Sequence, residues 1–539
     1  MEKITADEAA RLVQDGDAIL ISGSGGGHSV PEALLAAVER RFLDEGAPRR
    51  LTSVSVVGVG DRAALGASHL AHEGLLARAI TSALVDSPGL VTLAAENKIE
   101  AYTFPQGVLS QLMRDMAAGR PGLLTKTGLH SFVDPRQQGA RQSACTPLDF
   151  VEVVNLVGEE WLLFKPVPVN VAFLRGTTAD EDGNITMEQE AVLGEMLPMA
   201  QATRRAGGIV IVQVKRMARR GTLPAKDVRI PGILVDFVVV EPLQRQTYAT
   251  EYDPSYSGEL RIPVEHIKAL PFGPRKVIVR RAAMEFFPDA ICNLGAGVST
   301  GLSTIAAEEG LLDDVTLTNE QGIIGGAPIT GRDSGGGQNF AAMIEQPAQF
   351  DFYDGGGLDL AFLSFAEVDP QGNVNVSRFG DRIIGVGGFI NIAQNAQCVI
   401  FSGTLTAGEL DVVWEKGRTI IRKEGRHKKF VPKLEQICYS ASIGRERRQR
   451  AMFVTERAVF RIGPDGLELI EVAPGLDLER DVIAQMGFRP RVAREVKTMD
   501  PRIFEPGPMR LKADVEGKAR RYRSARVAQW HAAHQAGAR

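Results

Sequence analysis

The chain repeats its own grammar, and this constrains its fold more than any other feature. Residues 6–13 have a helical pattern, residues 18–22 form a short apolar run, and Gly23-Ser24-Gly25-Gly26-Gly27 leads into a second helical stretch over 33–42. Pro31 stands where a first helical turn accepts proline. Past residue 280 the order returns as Ala290-Ile291-Cys292-Asn293-Leu294, Gly295-Ala296-Gly297-Val298-Ser299-Thr300-Gly301 and a helix over 302–309. A sharper echo pairs Val171-Ala172-Phe173-Leu174 and Asp182-Gly183-Asn184-Ile185-Thr186 with Leu360-Ala361-Phe362-Leu363 and Gln371-Gly372-Asn373-Val374-Asn375. Each reads as strand, turn, strand, glycine supplying the positive φ that such a turn needs. A third pair sets Gly207-Gly208-Ile209-Val210-Ile211-Val212 against Ala396-Gln397-Cys398-Val399-Ile400-Phe401, and a fourth sets Ile230-Pro231-Gly232 against Val431-Pro432.

Four matching elements in one order predict a tandem duplication of an α/β unit. Strands alternating with helices imply open, largely parallel sheets, whose ligands bind beyond the strand carboxyl ends. The expected fold is therefore two related open α/β domains in tandem with one active site between them. The boundary falls near 270–285, where Pro274-Arg275-Lys276 and Arg280-Arg281 read as a charged seam. This gives an N-terminal domain over 1–275, a C-terminal domain over 276–513 and a basic helical tail over 514–539. The tail, with Arg520, Arg521, Arg523 and Arg526, reads as a solvated helix or frayed end.

The composition narrows the function classes. Across 539 residues, 62 basic and 66 acidic side chains leave a net charge of −4, and 6% are aromatic. A nucleic-acid binder is not expected from that balance, and any anionic ligand must be held locally. The four cysteines, Cys145, Cys292, Cys398 and Cys438, form no C-x-x-C pair and read as buried reduced thiols, with no metal site. The N-terminus lacks a signal-peptide apolar core, and the most apolar stretch, residues 233–240, is short and contains Asp236. A cytoplasmic protein without a membrane span is expected.

Glycine makes up 57 residues, above the usual share of about 7%. The clusters lie at 23–27, 322–326 with 335–337, and 385–388. No G-x-x-x-x-G-K-[ST] loop and no G-x-S-x-G elbow occurs, and no acidic ribose-binding residue follows the first cluster at dinucleotide spacing. The most informative segment is Val315-Thr316-Leu317-Thr318-Asn319-Glu320-Gln321-Gly322-Ile323-Ile324-Gly325-Gly326. A β-rich run ends in a carboxylate followed by glycines, and the expectation is that Gly322, Gly325 and Gly326 leave room for a bulky reactant. A carboxylate facing a cleft serves as a base or a nucleophile.

That segment resembles the active-site glutamate motif of family I coenzyme A transferases. Stretches such as Glu100-Ala101-Tyr102-Thr103-Phe104-Pro105-Gln106-Gly107, Ser131-Phe132-Val133-Asp134-Pro135-Arg136 and Gly387-Gly388-Phe389-Ile390-Asn391 are similar to the acetate/propionate CoA-transferase branch. The resemblance runs from about residue 3 to beyond 500. It implies transfer of CoA between a short-chain acyl-CoA and a free acid such as acetate, propionate or butyrate, by a ping-pong route through a Glu320–CoA thioester. Position by position it also implies the Gln106 amide and the backbone N–H of Gly387 or Gly388 as oxyanion donors. Gly322, Gly325, Gly326, Gly387 and the region 355–357 are expected to line the path of CoA, which is a co-substrate rather than a prosthetic group. The resemblance further implies a homo-oligomer. The competing expectations are an acyl-CoA hydrolase on the same fold, a nicotinamide-dependent oxidoreductase and a non-catalytic CoA-binding regulator.

Overall fold

A computed structural model describes residues 1–267 and 269–536. Eight parallel strands form the N-terminal sheet, in the spatial order Glu2–Ile4, Phe237–Val240, Ile209–Val214, Val171–Arg175, Ala18–Ile21, Leu51–Ser55, Leu76–Thr81 and Glu100–Thr103. A ten-stranded C-terminal sheet contains the parallel run Val315–Thr318, Ala290–Leu294, Leu360–Ser364, Cys398–Ser402 and Arg450–Val454, bordered on one side by two short antiparallel strands and on the other by the antiparallel Ala458–Gly463 and then Gly466–Val472 and Arg491–Thr498. The inner strands are continuous apolar runs such as Ile209-Val210-Ile211-Val212, as sheets covered on both faces require.

The duplication is written into this order. Ala18–Ile21 sits between Leu51–Ser55 and Val171–Arg175, just as Ala290–Leu294 sits between Val315–Thr318 and Leu360–Ser364. The predicted turns coincide in atomic detail. Asp180 Oδ1 accepts the N–H groups of Asp182 and Asn184, both at 2.9 Å, and Asp369 Oδ1 accepts those of Gln371 at 2.9 Å and Asn373 at 3.0 Å. Gly183 and Gly372 both take φ of +86°. The fourth echo is corrected. Asn184 Oδ1 accepts the N–H of Gly232, whereas Asn373 Oδ1 accepts that of Ala441, so the counterpart of 230–232 is 439–441 rather than Val431-Pro432. Pro231 and Pro432 are alike only in residue type; the hydrogen bond to the turn asparagine defines the equivalence.

Three apolar clusters hold the molecule together. One lies wholly among residues 277–515, a second among 9–239 with Ile383, and the largest mixes both halves. In the shared region, helix Gln106–Ala117 packs against helices Met196–Arg205, Gln346–Asp354 and Phe389–Asn395.

Two charged segments are packed against the body of the protein. The stretch 274–283, expected at the boundary between the halves, is a helix in which Lys276, Arg280 and Arg281 are buried. Lys276 pairs with Glu308 at 2.8 Å and Arg281 with Glu285 at 2.9 Å and Glu471 at 2.6 Å, whereas Arg280 donates to the backbone carbonyls of Glu505 and Gly507. The arginine-rich C-terminal segment is docked as far as residue 525. Val515 is fully buried, Lys518 Nζ donates to the carbonyls of Met284 and Phe286, and Arg523 N and Ser524 Oγ donate to the Asp359 carboxylate. Helix Arg526–Ala536 beyond it is solvated where described. Cys292, Cys398 and Cys438 are buried, while Cys145, expected inside, is exposed.

Candidate active site

Glu320 lies just past the carboxyl end of strand Val315–Thr318, in a turn built by its neighbour. Asn319 Oδ1 accepts the Gln321 N–H at 3.1 Å, and its Nδ2 donates to the Gly335 carbonyl at 2.9 Å. The turn is thereby tied to the loop beyond Gly331–Asp333, which Thr247 and Thr250 grip through Asp333 at 2.5 and 2.8 Å. Glu320 is half-buried, and its two chain neighbours are buried. Desolvation pushes its carboxyl pKa above the ordinary value, only partly offset by its own backbone N–H and the nearby Asn293 amide.

Asn293 is a residue that sequence reasoning passed over. It sits in the apolar strand Ala290–Leu294, fully buried. Its Nδ2 donates to the Tyr353 hydroxyl at 3.3 Å, while Oδ1 has no partner. Because Thr318 Oγ1 donates to the Cys292 carbonyl at 2.9 Å, the Tyr353 hydroxyl is the donor in its 2.7 Å contact with Thr318. The available signal was a lone asparagine inside an otherwise apolar strand, next to a glycine loop. Gln346 and Gln349 lie on the same helix as Tyr353, nearly fully buried, with neither amide oxygen nor nitrogen partnered. Unsatisfied buried amides are rare in folded proteins and point to a partner supplied by ligand or water.

The second half of the site assembles across the seam. Gln106 opens helix Gln106–Ala117, and its N–H donates to the Gly387 carbonyl at 2.9 Å. Its side chain is 1% exposed and runs beside Gly387, yet its Nε2 has no acceptor. Gly385, at φ +96°, lets the loop lie on the Ser82–Ala83 backbone; a Cβ there would fall 2.5 Å from Ala83 Cα. Of the two expected backbone donors, Gly387 N–H is already given to the Ser82 carbonyl at 3.0 Å, so the Gly387 alternative is corrected. Gly388 N–H finds no acceptor among the described residues, and it begins helix Phe389–Asn395. The structure therefore brings Gln106, Gly387 and Gly388 together. Helix Gln346–Asp354 joins this group to Glu320: a Cβ on Gly107 or Gly388 would meet Phe350, and Tyr353 one turn on reaches Thr318 and Asn293.

The glycines after Glu320 do not leave the expected space. At Gly322, φ is +97° and a Cβ would stand 2.0 Å from the Ile344 carbonyl oxygen; at Gly326 it would stand 2.2 Å from that of Gln338. Gly325 faces Ala341 less closely, at 3.3 Å, and the hairpin to Ala342–Met343 fills the room beside Gly322 and Gly326. Residues 355–357 precede strand Leu360–Ser364 and so lie at the opposite, amino end of the sheet, where Arg523 donates to the Gly356 carbonyl. In the N-terminal glycine loop, Gly26 and Gly27 are closed over by the Arg332 carbonyl and Tyr248. His28 follows them, fully buried, its Nε2–H donating to the Ser334 carbonyl at 3.2 Å and its pKa lowered by burial. A last missed residue is Glu195, 1% exposed, which accepts a 3.2 Å bond from Ser110, one turn along the helix from Gln106. Burial pushes its pKa up to about 8.

Residues 3–241 match the family model described as Coenzyme A transferase. The chain is 42% identical over 502 residues to the acetate CoA-transferase YdiF of Escherichia coli K12, covering 93% of this chain and 94% of that protein. It is equally identical to the caffeate CoA-transferase of Acetobacterium woodii over 509 residues, covering 93% and 97%. The crystal structure of the acyl-CoA transferase YdiF from E. coli O157:H7, a thioester complex with CoA, superposes with a TM-score of 0.90 over 94% of this chain and 97% of that one. The chain belongs to the coenzyme A transferase family.

Proposed function

We propose that this enzyme moves CoA between a short-chain acyl-CoA and a free carboxylic acid of the acetate, propionate or butyrate class, with Glu320 as the nucleophile. The observation that carries the reading is a desolvated carboxylate at a strand end, with an unpartnered buried amide donor, Gln106 Nε2, in the facing half. The Glu320 carboxylate attacks the thioester carbonyl; its new C–O bond replaces the C–S bond and gives a mixed anhydride and CoA thiolate. The thiolate then attacks the glutamyl carbonyl, forming a C–S bond and releasing the first acid as carboxylate. The second acid reverses both steps, and no net proton is consumed. Each addition places negative charge on a carbonyl oxygen, for which Gln106 Nε2 and Gly388 N–H are the fixed donors. Gly387 acts through its carbonyl, which holds the Gln106 backbone.

The fused halves meet near residue 275, and we place the protein in the cytoplasm as a homo-oligomer. Three buried thiols and the lack, among the described residues, of any helix able to cross a membrane support that placement. Intact-mass analysis after mixing with acyl-CoA alone tests the mechanism. The expected adduct is one CoA less one water, mapping to Glu320 and missing from Glu320→Ala. Incubating acetyl-CoA with and without propionate separates transfer from hydrolysis: acid-dependent formation of propionyl-CoA is expected. Free thiol released at the same rate with or without acid would refute transfer.

A further inference from the structure

One fully buried side chain ties the two proposed oxyanion donors together without touching substrate. Asn391 lies on helix Phe389–Asn395, one turn after Gly388, and is 0% exposed. Its Oδ1 accepts the Gly107 N–H across the seam at 3.1 Å, a bond between residues 284 positions apart. Its Nδ2 donates to both oxygens of Asp354 at 3.0 Å. Asp354 also accepts from Gln111 Nε2 at 3.1 Å and Asn395 Nδ2 at 2.9 Å. A carboxylate only accepts, so Asp354 obliges the Asn391 amide to turn its NH2 inward and its oxygen toward Gly107. A Cβ on Gly107 would lie 2.5 Å from Asn391 Nδ2, so the glycine is what admits this contact.

We infer that Asn391, oriented by Asp354, is a positioning residue that sets the distance between the Gln106 amide and the Gly388 N–H. Gln106 precedes the clamped Gly107, and Gly388 begins the helix that carries the clamp, so loss of the bond lets the donors drift apart. A misplacement of about 1 Å at a reacting centre costs on the order of 10²-fold in rate. The inference rests on the reading of Gln106 and Gly388 as donors to the Glu320 relay.

The test exchanges the polarity of the pair. Asn391→Asp keeps the acceptor for Gly107 but sets a second carboxyl against Asp354, and two such groups share one proton. The charged neighbours are Asp351, paired with Arg114, and Arg447, which donates to Asn395; burial raises Asp354 to about 6. As pH rises and the shared proton leaves, the carboxylates repel. The expected result is that kcat of Asn391→Asp falls on the order of 10²-fold between neutral and alkaline pH relative to the parent, with a smaller change in KM. Combining Asn391→Asp with Asp354→Asn leaves one carboxylate facing one amide but forfeits one of the bonds that position 354 accepts from Gln111 and Asn395, so kcat should recover only in part while the added alkaline fall disappears. The inference is overturned if Asn391→Asp keeps the parental pH profile, or if the exchanged pair shows the same alkaline fall in kcat as the single variant. Lack of a CoA adduct on the parent would instead remove the relay reading; an adduct with a parent-like Asn391→Asp overturns this inference alone.

Discussion

Gln106→Leu separates a catalytic amide from a structural one because the two roles predict opposite changes. The side chain is 1% exposed and its Nε2 has no acceptor, so the resting protein holds an amide stripped of water without a compensating bond. Leaving such a group unsatisfied costs about 1–3 kcal/mol. Leucine has nearly the same volume and no polar atoms, and in a helix its propensity equals or exceeds that of glutamine. The variant should therefore unfold at the same temperature as the parent or higher, with a gain of about 1 kcal/mol. Turnover should move the other way. Losing one oxyanion donor costs about 10²–10³ in kcat, or about 2.7–4 kcal/mol. Thermal unfolding by calorimetry and steady-state transfer from acyl-CoA to a second acid give the two readings, with KM for acyl-CoA changing less than kcat. A Gln106→Leu protein that is less stable yet retains parental kcat would refute the assignment. The amide would then be holding the seam rather than the oxyanion.

Two further outcomes follow from the geometry. Gly322→Ala puts a methyl group 2.0 Å from the Ile344 carbonyl at φ +97°, and should destabilise the protein by about 1–3 kcal/mol in chemical denaturation while displacing the Glu320 turn and lowering kcat. Glu195, whose native pKa is raised to about 8, holds its proton more tightly folded than unfolded; its contribution is complete below the unfolded pKa of about 4.3 and declines as pH rises toward 8. Glu195→Gln should remove that decline in melting temperature between pH 5 and 8, and an unchanged slope would show that another group carries it.

The candidate residues that the sequence singles out carry local signals. Glu320 with its glycines, and Gln106 between Pro105 and Gly107, are short strings whose backbone demands act within a few residues. The supporting residues carry no such signal. Asn293 looks like a flaw in an apolar strand until Tyr353 and Glu320 are beside it, and Asn391 means nothing without Gly107 and Asp354, which come from other parts of the chain. The glycines at 322, 325 and 326 were recognisable as unusual, but what fills the space they leave depends on residues 338–344. Likewise the arginines near 520 read as solvated charge, because docking on Asp359 is invisible along the chain.

By itself the sequence determined two α/β halves and a carboxylate at a strand end, because hydrophobic period, turn chemistry and strand-forming runs are properties of neighbouring residues. Duplicated segments met the same local demands and so took the same strand order. Only the tertiary structure decided which backbone N–H remained free, since Gly387 and Gly388 are alike until the Ser82 carbonyl engages one of them. It also decided which way the Asn391 amide faces and which carboxyls lose their water. Hydrogen-bond satisfaction and desolvation depend on what packs around a group, and here the packing partners lie up to hundreds of residues away.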